Sequence, residues 1–287
     1  MQNLGQDQFK SFWISLPTED EQSAIATFLD RETGKIDALI AEQEKLLTLL
    51  AEKRQATISH AVTRGLNPNA PMKDSGVPWL GEVPAHWKLP PLYLRYTVEL
   101  GKMLDTSKIT GEHLTPYLRN VDVQWDRINT VDLPYMDISL DDAKRFTVRD
   151  GDLLVCEGGE VGRAAVVAGL TATIGYQKAL HRLRSLGEDE SPRYLFFVFR
   201  WAACTGAFSG EGQSTIAHLT GEQLRKYRFP KPPLEEQQSI AAFLDGKLHG
   251  LDSLQAEAEQ IVSLLKERRS ALIAAAVTGK IDVRQVA

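Results

Sequence analysis

The chain has 287 residues, a formal net charge of −5 and 43% hydrophobic residues, a size and composition that suit one large or two modest globular domains. No apolar run approaches the roughly 18 residues that span a bilayer, and the N-terminal residues lack the basic start and apolar run of a signal peptide. We therefore expect a cytoplasmic protein, and the acidic net charge argues against binding nucleic acid on all sides while leaving room for a local basic face.

An internal repeat is the most informative pattern in the chain. Residues 17–63 recur as residues 232–278, and an ungapped comparison finds 22 of 47 positions identical, against roughly 3 for unrelated sequences of average composition. Residues 1–16 align with the segment that ends at Pro230, so we expect them to be the remnant tail of a domain whose body is absent. The repeat predicts four segments, which are the tail at 1–16, a first helical region at 17–66, a central domain at 67–230 and a second helical region at 231–287.

Each copy of the repeat is predicted to be helical. Residues 19–30 and 234–245 follow prolines and have the pattern of a short amphipathic helix. A longer helix with a heptad-like stripe follows in each copy and predicts a coiled pair, the alternative being two ordinary surface helices on a globular core. The predicted seam consists of Ile36, Leu39, Gln43, Leu46, Leu50 and Thr57 in the first copy, and of Leu251, Leu254, Ala258, Ile261, Leu265 and Leu272 in the second.

The central segment has a different composition. Six of the thirteen prolines lie in residues 65–91, a density that excludes regular helix and central strand. Apolar and β-branched segments between Gly and Asp then predict short strands, and the apolar stretch 192–204 predicts a buried helix. We therefore predict the α+β class, with a mixed α/β domain between two long helices. The predicted strands are 117–123, 128–133, 152–158, 163–169 and 178–185, and a further helix is predicted at 221–226.

Catalytic motifs are not evident. The glycine-rich stretches Glu157–Gly162 and Thr205–Thr215 lack both the GxGxxG and the Walker spacing, and the first is predicted to be a tight turn. The six histidines show no metal-ligand spacing, so we predict no metal site. These observations favour recognition and assembly over catalysis, and we predict no catalytic residues.

One stretch of the central domain is free of acidic residues. Between Val161 and Gly187 there is no Asp or Glu, although several basic residues and a histidine occur there. The stretch favours a nucleic-acid face, and the alternative is a chance run in a mostly buried sheet. The residues concerned are Arg163, Lys178, His181, Arg182 and Arg184.

The motifs, taken in order, resemble the conserved regions of type I restriction-modification specificity (S) subunits. The second copy of the repeat carries the pattern most fully, whereas the first departs at Thr18–Asp20 and at Arg64. The resemblance covers essentially the whole chain. Its motifs are Pro232–Asp245 (PPLEEQQSIAAFLD), Ala276–Gly279 (AVTG), Asp74–Trp87 (DSGVPWLGEVPAHW), Gly151–Leu154 and Gly158–Arg163.

The resemblance implies a non-catalytic DNA reader. In such a protein a target recognition domain reads one half of a bipartite site, and two conserved helices pack antiparallel as a spacer. The implied partners are double-stranded DNA, methyltransferase (M) subunits and restriction (R) subunits. S-adenosylmethionine is expected in the M subunits and ATP with Mg in the R subunits, and no cofactor is expected on this chain.

The chain departs from the family pattern because it contains one recognition domain instead of two. It resembles a half-size S subunit or part of a longer one, and a second copy of the chain is a candidate partner that would complete a two-fold site. Two alternatives stay open. One is a coiled-coil adaptor or decayed S remnant that binds M subunits without sequence-specific DNA binding, and the other is a self-sufficient DNA enzyme.

The candidate DNA contacts fall into three groups. The first lies in the acid-free stretch, where Gln177 could pair with adenine. The second is a loop suited to phosphate or base contact, and the third lies near strand ends. The alternative for each residue is a solvated side chain or a structural hydrogen bond. The groups are Arg163, Gln177, Lys178, His181 and Arg182; Gln213, Ser214 and Thr215; and Arg119, Asn120 and Lys102.

Overall fold

The computed structural model describes residues 16–105, 110–208 and 218–285. Two compact units divide the chain. The helical unit comprises Met1–Lys53 and His249–Ala287, and the mixed unit comprises Arg54–Leu248. The predicted tail at 1–16 lies outside the described residues, apart from Leu16.

Two long helices account for both copies of the repeat. Helix α1 spans Glu19–Arg64 and helix α5 spans Leu234–Val277. Each was predicted as a short helix followed by a separate long one, but each is continuous. The physical reason is that no proline lies between Glu19 and Arg64, so nothing interrupts the backbone hydrogen bonds there.

Ion pairs show that the two helices run antiparallel in the helical unit. Arg269 Nε donates to Asp37 Oδ1 at 2.8 Å, and Lys266 Nζ lies 3.7 Å from Glu44 Oε1. Residue numbers rise along α1 as they fall along α5, which is the antiparallel order. At one end Phe28 packs with Ala276 and Val283. The predicted antiparallel pair of long helices is therefore confirmed.

The predicted seam between the helices holds at every second position and is displaced by one residue at the positions between. Ile36 and Ala258 are buried as expected, but four other predicted seam residues are exposed. Their places are taken by neighbouring residues of intermediate exposure. At three of these four places two apolar residues are adjacent, so the sequence pattern does not distinguish a 3-then-4 from a 4-then-3 spacing. At the fourth place the replacement is polar, and the sequence gives no sign of the change. The exposed residues are Leu39 (47%), Leu46 (40%), Leu254 (50%) and Ile261 (42%), and their replacements are Ile40, Leu47, Gln255 and Val262.

Gln43 places an unsatisfied polar atom in this seam. Its Oε1 is buried and has no hydrogen-bond partner among the described residues. We expect Gln43→Leu to raise the free energy of unfolding by about 1 kcal/mol, because a buried polar group without a partner is costly. Thermal denaturation would measure the change. The control is Gln255→Leu, which removes an amide that already bonds Glu259 and should gain less. Destabilisation by Gln43→Leu would contradict this reasoning.

A four-stranded antiparallel sheet lies in the mixed unit. Its strands are β3 (Tyr96–Leu100), β8 (Leu153–Cys156), β9 (Ala164–Val166) and β11 (Leu180–Ser185). They are ordered β3, β11, β8, β9. Arg182 of β11 is paired with Glu99 of β3 on one side and with Leu154 of β8 on the other. The sheet therefore brings together residues that lie more than 80 positions apart in the chain.

A three-stranded sheet completes one core of the same unit. Strand β4 (Leu114–Leu118) lies between β10 (Gly175–Tyr176), which is parallel to it, and β7 (Tyr135–Asp137), which is antiparallel. Leu118 and Tyr176 pack in one cluster with Leu154, Cys156 and Leu180 of the first sheet. The remaining short elements are the hairpin strands β1 (Met72–Asp74) and β2 (Glu82–Pro84), the hairpin strands β5 (Val123–Gln124) and β6 (Arg127–Ile128), and the helices α2 (Leu140–Phe146) and α4 (Gly221–Lys226).

Helix α3 (Pro192–Cys204) is the buried helix predicted from its composition. Ser191 caps it by accepting a hydrogen bond from the backbone N–H of Tyr194. Its aromatic side chains are buried, and Phe199 lies 5.1 Å from Phe229 between ring centroids. Tyr194 donates to the Val62 carbonyl at the end of α1. This bond fastens α3 to the final turn of α1, and both lie within the mixed unit.

Candidate nucleic-acid interface

Backbone hydrogen bonds bring three separate segments of the mixed unit together at one edge. The Gln177 N–H donates to the Leu118 carbonyl at 3.0 Å, and the Lys178 N–H donates to the Lys102 carbonyl at 3.0 Å. The Lys102 N–H in turn donates to the Tyr176 carbonyl at 2.9 Å. These bonds hold the ends of β3, β4 and β10 side by side. We call this surface the loop edge, and it consists of Lys102, Arg119, Asn120, Arg163, Gln177 and Lys178.

Gly101 makes the close approach at the loop edge possible. A Cβ atom at this position would lie 2.2 Å from the Gln177 carbonyl oxygen, far inside contact distance. Only glycine leaves room for the neighbouring backbone here. The position of Gln177 and Lys178 therefore depends on a residue that carries no side chain.

Arg163 and Asn120 use their polar atoms within the protein. Arg163 Nη2 donates to Asn120 Oδ1 at 2.8 Å and to the Asn120 carbonyl at 3.0 Å. Asn120 Nδ2 donates to the Gly158 carbonyl at 3.1 Å. The Arg163 side chain is only 13% exposed. The pair therefore braces the turn between β8 and β9, the turn that the glycine-rich stretch predicted.

Arg119 and Lys102 are each paired with a carboxylate. Arg119 forms a two-point bond with Asp122, from Nε to Oδ2 at 2.8 Å and from Nη2 to Oδ1 at 2.9 Å. Burial opposes ionisation of Asp122, but the hydrogen bonds from Arg119 outweigh it and lower the pKa of that carboxyl group. Lys102 Nζ lies 2.5 Å from Asp142 Oδ2. Phosphate would have to compete with these carboxylates for either cation.

His181 and Arg182 have structural roles, which corrects the prediction that they contact DNA. His181 is fully buried, and its Nε2 donates to the Leu219 carbonyl at 2.8 Å. Burial lowers its pKa and favours the neutral ring. Arg182 is 4% exposed and donates from Nη1 to the carbonyls of Arg145 and Thr147, each at 2.8 Å. Burial therefore leaves neither side chain free to contact the edge of a base.

Gln177 and Lys178 have side chains available for contact. Lys178 is exposed and Gln177 is partly exposed. Among the described residues, neither side chain has a hydrogen-bond or ion-pair partner. Both therefore stay predicted DNA contacts. The predicted loop residues Gln213, Ser214 and Thr215 lie outside the described residues.

The two residues are expected to differ in what they contact. Lys178→Ala should weaken binding to all DNA sequences by roughly 3- to 10-fold and lower the salt slope of log K by about 0.9, the effect of one lost phosphate contact. Gln177→Ala should leave the salt slope unchanged and relax sequence preference at one base. Fluorescence anisotropy at several salt concentrations, with target and scrambled duplexes, would measure both. Unchanged binding in both variants would contradict the assignment of this edge to DNA.

A second basic surface in the mixed unit was not predicted as a site. It is a groove lined by β3, β11, α2 and α4, and we call it the basic groove. Arg182 and Arg184 come from the acid-free stretch, but the other three cations come from separate segments, two of them beside acidic residues. No sequence signal singled these out. The groove is lined by Thr97, Glu99, Lys144, Arg145, Arg182, Arg184 and Arg225.

No metal-binding cluster is found in the described part of the chain. In residues 16–105, 110–208 and 218–285 there is no group of three His, Cys, Asp or Glu side chains that could hold a metal ion. Cys156 is buried, and its burial raises the pKa of the thiol, which disfavours a nucleophilic thiolate. No helix in these ranges combines the length and apolar character that crossing a membrane requires.

Comparison with known protein families gives a match over more than half of the chain. Residues 97–261 match the family described as the type I restriction modification DNA specificity domain. This range contains the loop edge, the basic groove and the first half of α5. The match therefore covers the surfaces described above.

Individual relatives agree with this match. The chain is 46% identical over 94 residues, 33% of its length, to the type I restriction enzyme EcoBI specificity subunit of Escherichia coli, of which this covers 20%. It is 25% identical over 285 residues to the putative type I restriction enzyme MjaX specificity subunit of Methanocaldococcus jannaschii, covering 98% of this chain and 62% of that one. Nearly the whole of this chain thus matches that relative, but it spans only about three fifths of the relative's length.

A solved structure shares the fold. A chain from a structure of the assembly and conformational transition of the type I R-M system superposes with a TM-score of 0.70 at 19% identity. The superposition covers 92% of this chain and 60% of that chain. It supports the α+β architecture with two long helices.

Proposed function

Because the chain belongs to the type I restriction modification DNA specificity domain family, we propose that it is a non-catalytic DNA-recognition subunit. In this role the mixed unit reads one half of a bipartite DNA site. The chain also holds methyltransferase (M) and restriction (R) subunits on that site. S-adenosylmethionine would be bound by the M subunits, and ATP with Mg by the R subunits. The complex would work in the cytoplasm.

The convergence of the loop edge is the observation that supports DNA reading. Residues from β3, β4 and β10 are held together by backbone hydrogen bonds, so Gln177 and Lys178 project from a rigid frame. A rigid frame is what base reading needs, because a bidentate amide contact with adenine tolerates little displacement. Lys178 beside Gln177 supplies a phosphate contact that sets the register.

Exposed apolar residues on the helical unit support the scaffolding role. The shifted seam leaves leucine and isoleucine side chains on the outside of both helices. An apolar stripe on a helix pair is a surface on which further helices can pack. We propose that M subunits dock there. The stripe consists of Leu39, Leu46 and Leu49 on α1 and of Leu254, Ile261 and Leu264 on α5.

A bipartite site needs a second reader, and we propose that a second copy of the chain supplies it. The two helices have similar sequences and run antiparallel, so each end of the pair presents similar residues. Such a pair suits a two-fold arrangement of two chains. Two copies would read a site with two-fold symmetry. Sedimentation of the purified complex with M subunits should show two copies of this chain, and a single copy would contradict this part of the proposal.

Co-expression with an M subunit tests the function as a whole. Methylome sequencing should find adenine methylation at one sequence motif only when this chain is present. Complex formation without sequence-specific DNA binding would favour the alternative, a coiled-coil adaptor or a decayed S subunit. Methylation or cleavage by the chain alone would contradict both and indicate a self-sufficient enzyme.

A further inference from the structure

We infer that the basic groove is a clamp for DNA backbone phosphates, separate from the base-reading loop edge. The inference rests on the proposed function and adds to it the place where the DNA backbone lies. Five cationic side chains from three elements line one groove of a protein whose net charge is −5. Such a local concentration of positive charge is what a polyanion recognises.

Two arginines form a rigid base of the groove. Arg182 is held by the carbonyls of Arg145 and Thr147, and Arg184 forms a two-point bond with Asp152 at 2.7 Å for each contact. Asp152 is itself buried. Arg182 has neutral carbonyl partners and contributes a fixed positive potential, whereas Asp152 offsets most of the charge of Arg184. Both side chains are already ordered, so binding costs them no further side-chain entropy.

The rim of the groove supplies cations that can reach a ligand. Lys144 is exposed and forms no ion pair with the described residues. The side chains of Arg145 and Arg225 are 61% and 50% exposed, and both lie near Glu99, at 2.9 Å and 4.0 Å. Arg225 also donates to the Val98 carbonyl at 2.6 Å. Exposed cations on both α2 and α4 can therefore contact phosphate in the groove.

The groove continues towards the loop edge. Lys102 of the loop edge pairs with Asp142 of α2, the helix that also carries Lys144 and Arg145. The Lys102 carbonyl accepts the hydrogen bond from the backbone of Lys178. A DNA duplex whose bases face Gln177 would therefore pass its backbone near α2. This continuity favours DNA over an acidic protein as the ligand of the groove.

Glu99 limits the positive charge of the groove. Its carboxylate accepts a hydrogen bond from Arg145 and lies near Arg225, so it competes with phosphate for both guanidinium groups. Glutamine at position 99 has no negative charge and would leave Arg145 and Arg225 free to bind phosphate. Glu99→Gln is therefore expected to strengthen DNA binding about threefold, regardless of the DNA sequence. Most substitutions at a binding surface weaken binding instead.

The test measures DNA binding by the complex with the M subunit as a function of salt. In the variant Lys144→Ala/Arg225→Ala, affinity for target and scrambled duplexes should fall by a similar factor, about tenfold, and the salt slope should fall by about 1.8, the effect of two phosphate contacts. The control is Lys88→Ala/Arg64→Ala, which removes two exposed cations of the mixed unit that do not line the groove and should keep the wild-type slope. Circular dichroism confirms that each variant is folded.

Three results would overturn the clamp. They are an unchanged salt slope in the double variant, a loss confined to the target duplex, and a loss of M-subunit association with DNA binding intact, which would identify an acidic protein surface as the ligand. If the wild-type complex prefers its target duplex but the salt slope of the double variant is unchanged, only the clamp proposal is contradicted. If the wild-type complex shows no preference for its target, the proposed function itself is contradicted.

Discussion

Glu190→Ala is expected to lower the free energy of unfolding by about 3–5 kcal/mol, because it leaves the buried guanidinium of Arg95 without its partner. The two side chains are each 1% exposed and form a two-point bond, from Nε to Oε1 at 2.7 Å and from Nη2 to Oε2 at 2.6 Å. Tyr96 donates to the same carboxylate and Lys231 lies 3.0 Å from it. Burial alone would lower the pKa of Arg95, but the hydrogen bonds that Arg95 donates to Glu190 outweigh burial and raise that pKa. Urea denaturation would measure the loss.

Two controls separate the ion pair from its surroundings. Asp189 pairs with the same lysine but is 68% exposed at its side chain, so Asp189→Asn should cost less than about 1 kcal/mol. The double variant Arg95→Met/Glu190→Leu removes both charges and should be more stable than Glu190→Ala alone. If Glu190→Ala costs no more than Asp189→Asn, the buried pair does not stabilise the mixed unit.

Gly101→Ala is expected to cost about 3 kcal/mol, near the upper end of the range for overpacking. The new Cβ would lie 2.2 Å from the Gln177 carbonyl oxygen, and a backbone atom cannot rotate away as a flexible side chain can. One of the two strands must shift, and the hydrogen bonds from Lys102 to Tyr176 and from Lys178 to Lys102 must lengthen. The variant should therefore lose sequence preference as well as stability.

Gly246→Ala is the matched control for this substitution. Gly246 lies in α5 of the same unit, and a Cβ there would meet no atom within 4 Å. Alanine should stabilise that helix by roughly 0.5–1 kcal/mol. Thermal denaturation would compare the two variants, and anisotropy with target and scrambled duplexes would report the preference. A stable Gly101→Ala variant with wild-type preference would show that the close approach does not position the loop edge.

Much of the fold could be predicted from local patterns. Three strands of the four-stranded sheet, β8, β9 and β11, lie within predicted segments, and α3 occupies the predicted apolar stretch. The predicted strand at 128–133 was wrong, because only Ile128 belongs to a strand there. β3 and the two-residue β10 were missed because their pairing partners lie far away in the chain. Short strands of this kind are decided by those partners and not by their own composition.

The candidate site was predictable in residue type but not in role. The acid-free stretch led to the prediction of Arg163, Lys178 and Arg182 as DNA contacts, yet only Lys178 among these three is exposed. A side chain on a strand alternates between faces, and a sequence without known pairing does not say which face is buried. Arg182 therefore looks like a DNA contact in sequence and is a buried donor to backbone carbonyls in the structure.

By itself the sequence determined the repeat, the two long helices and the family, because these depend on local periodicity and on motifs that are contiguous in the chain. Only the tertiary structure decided the phase of the helical seam, the burial of His181 and Arg182, and the assembly of the basic groove. Each of these depends on which residues distant in the chain become neighbours. Lys144 and Arg225 are 81 positions apart, and only the packing of α2 and α4 beside β3 and β11 brings them into the lining of one groove.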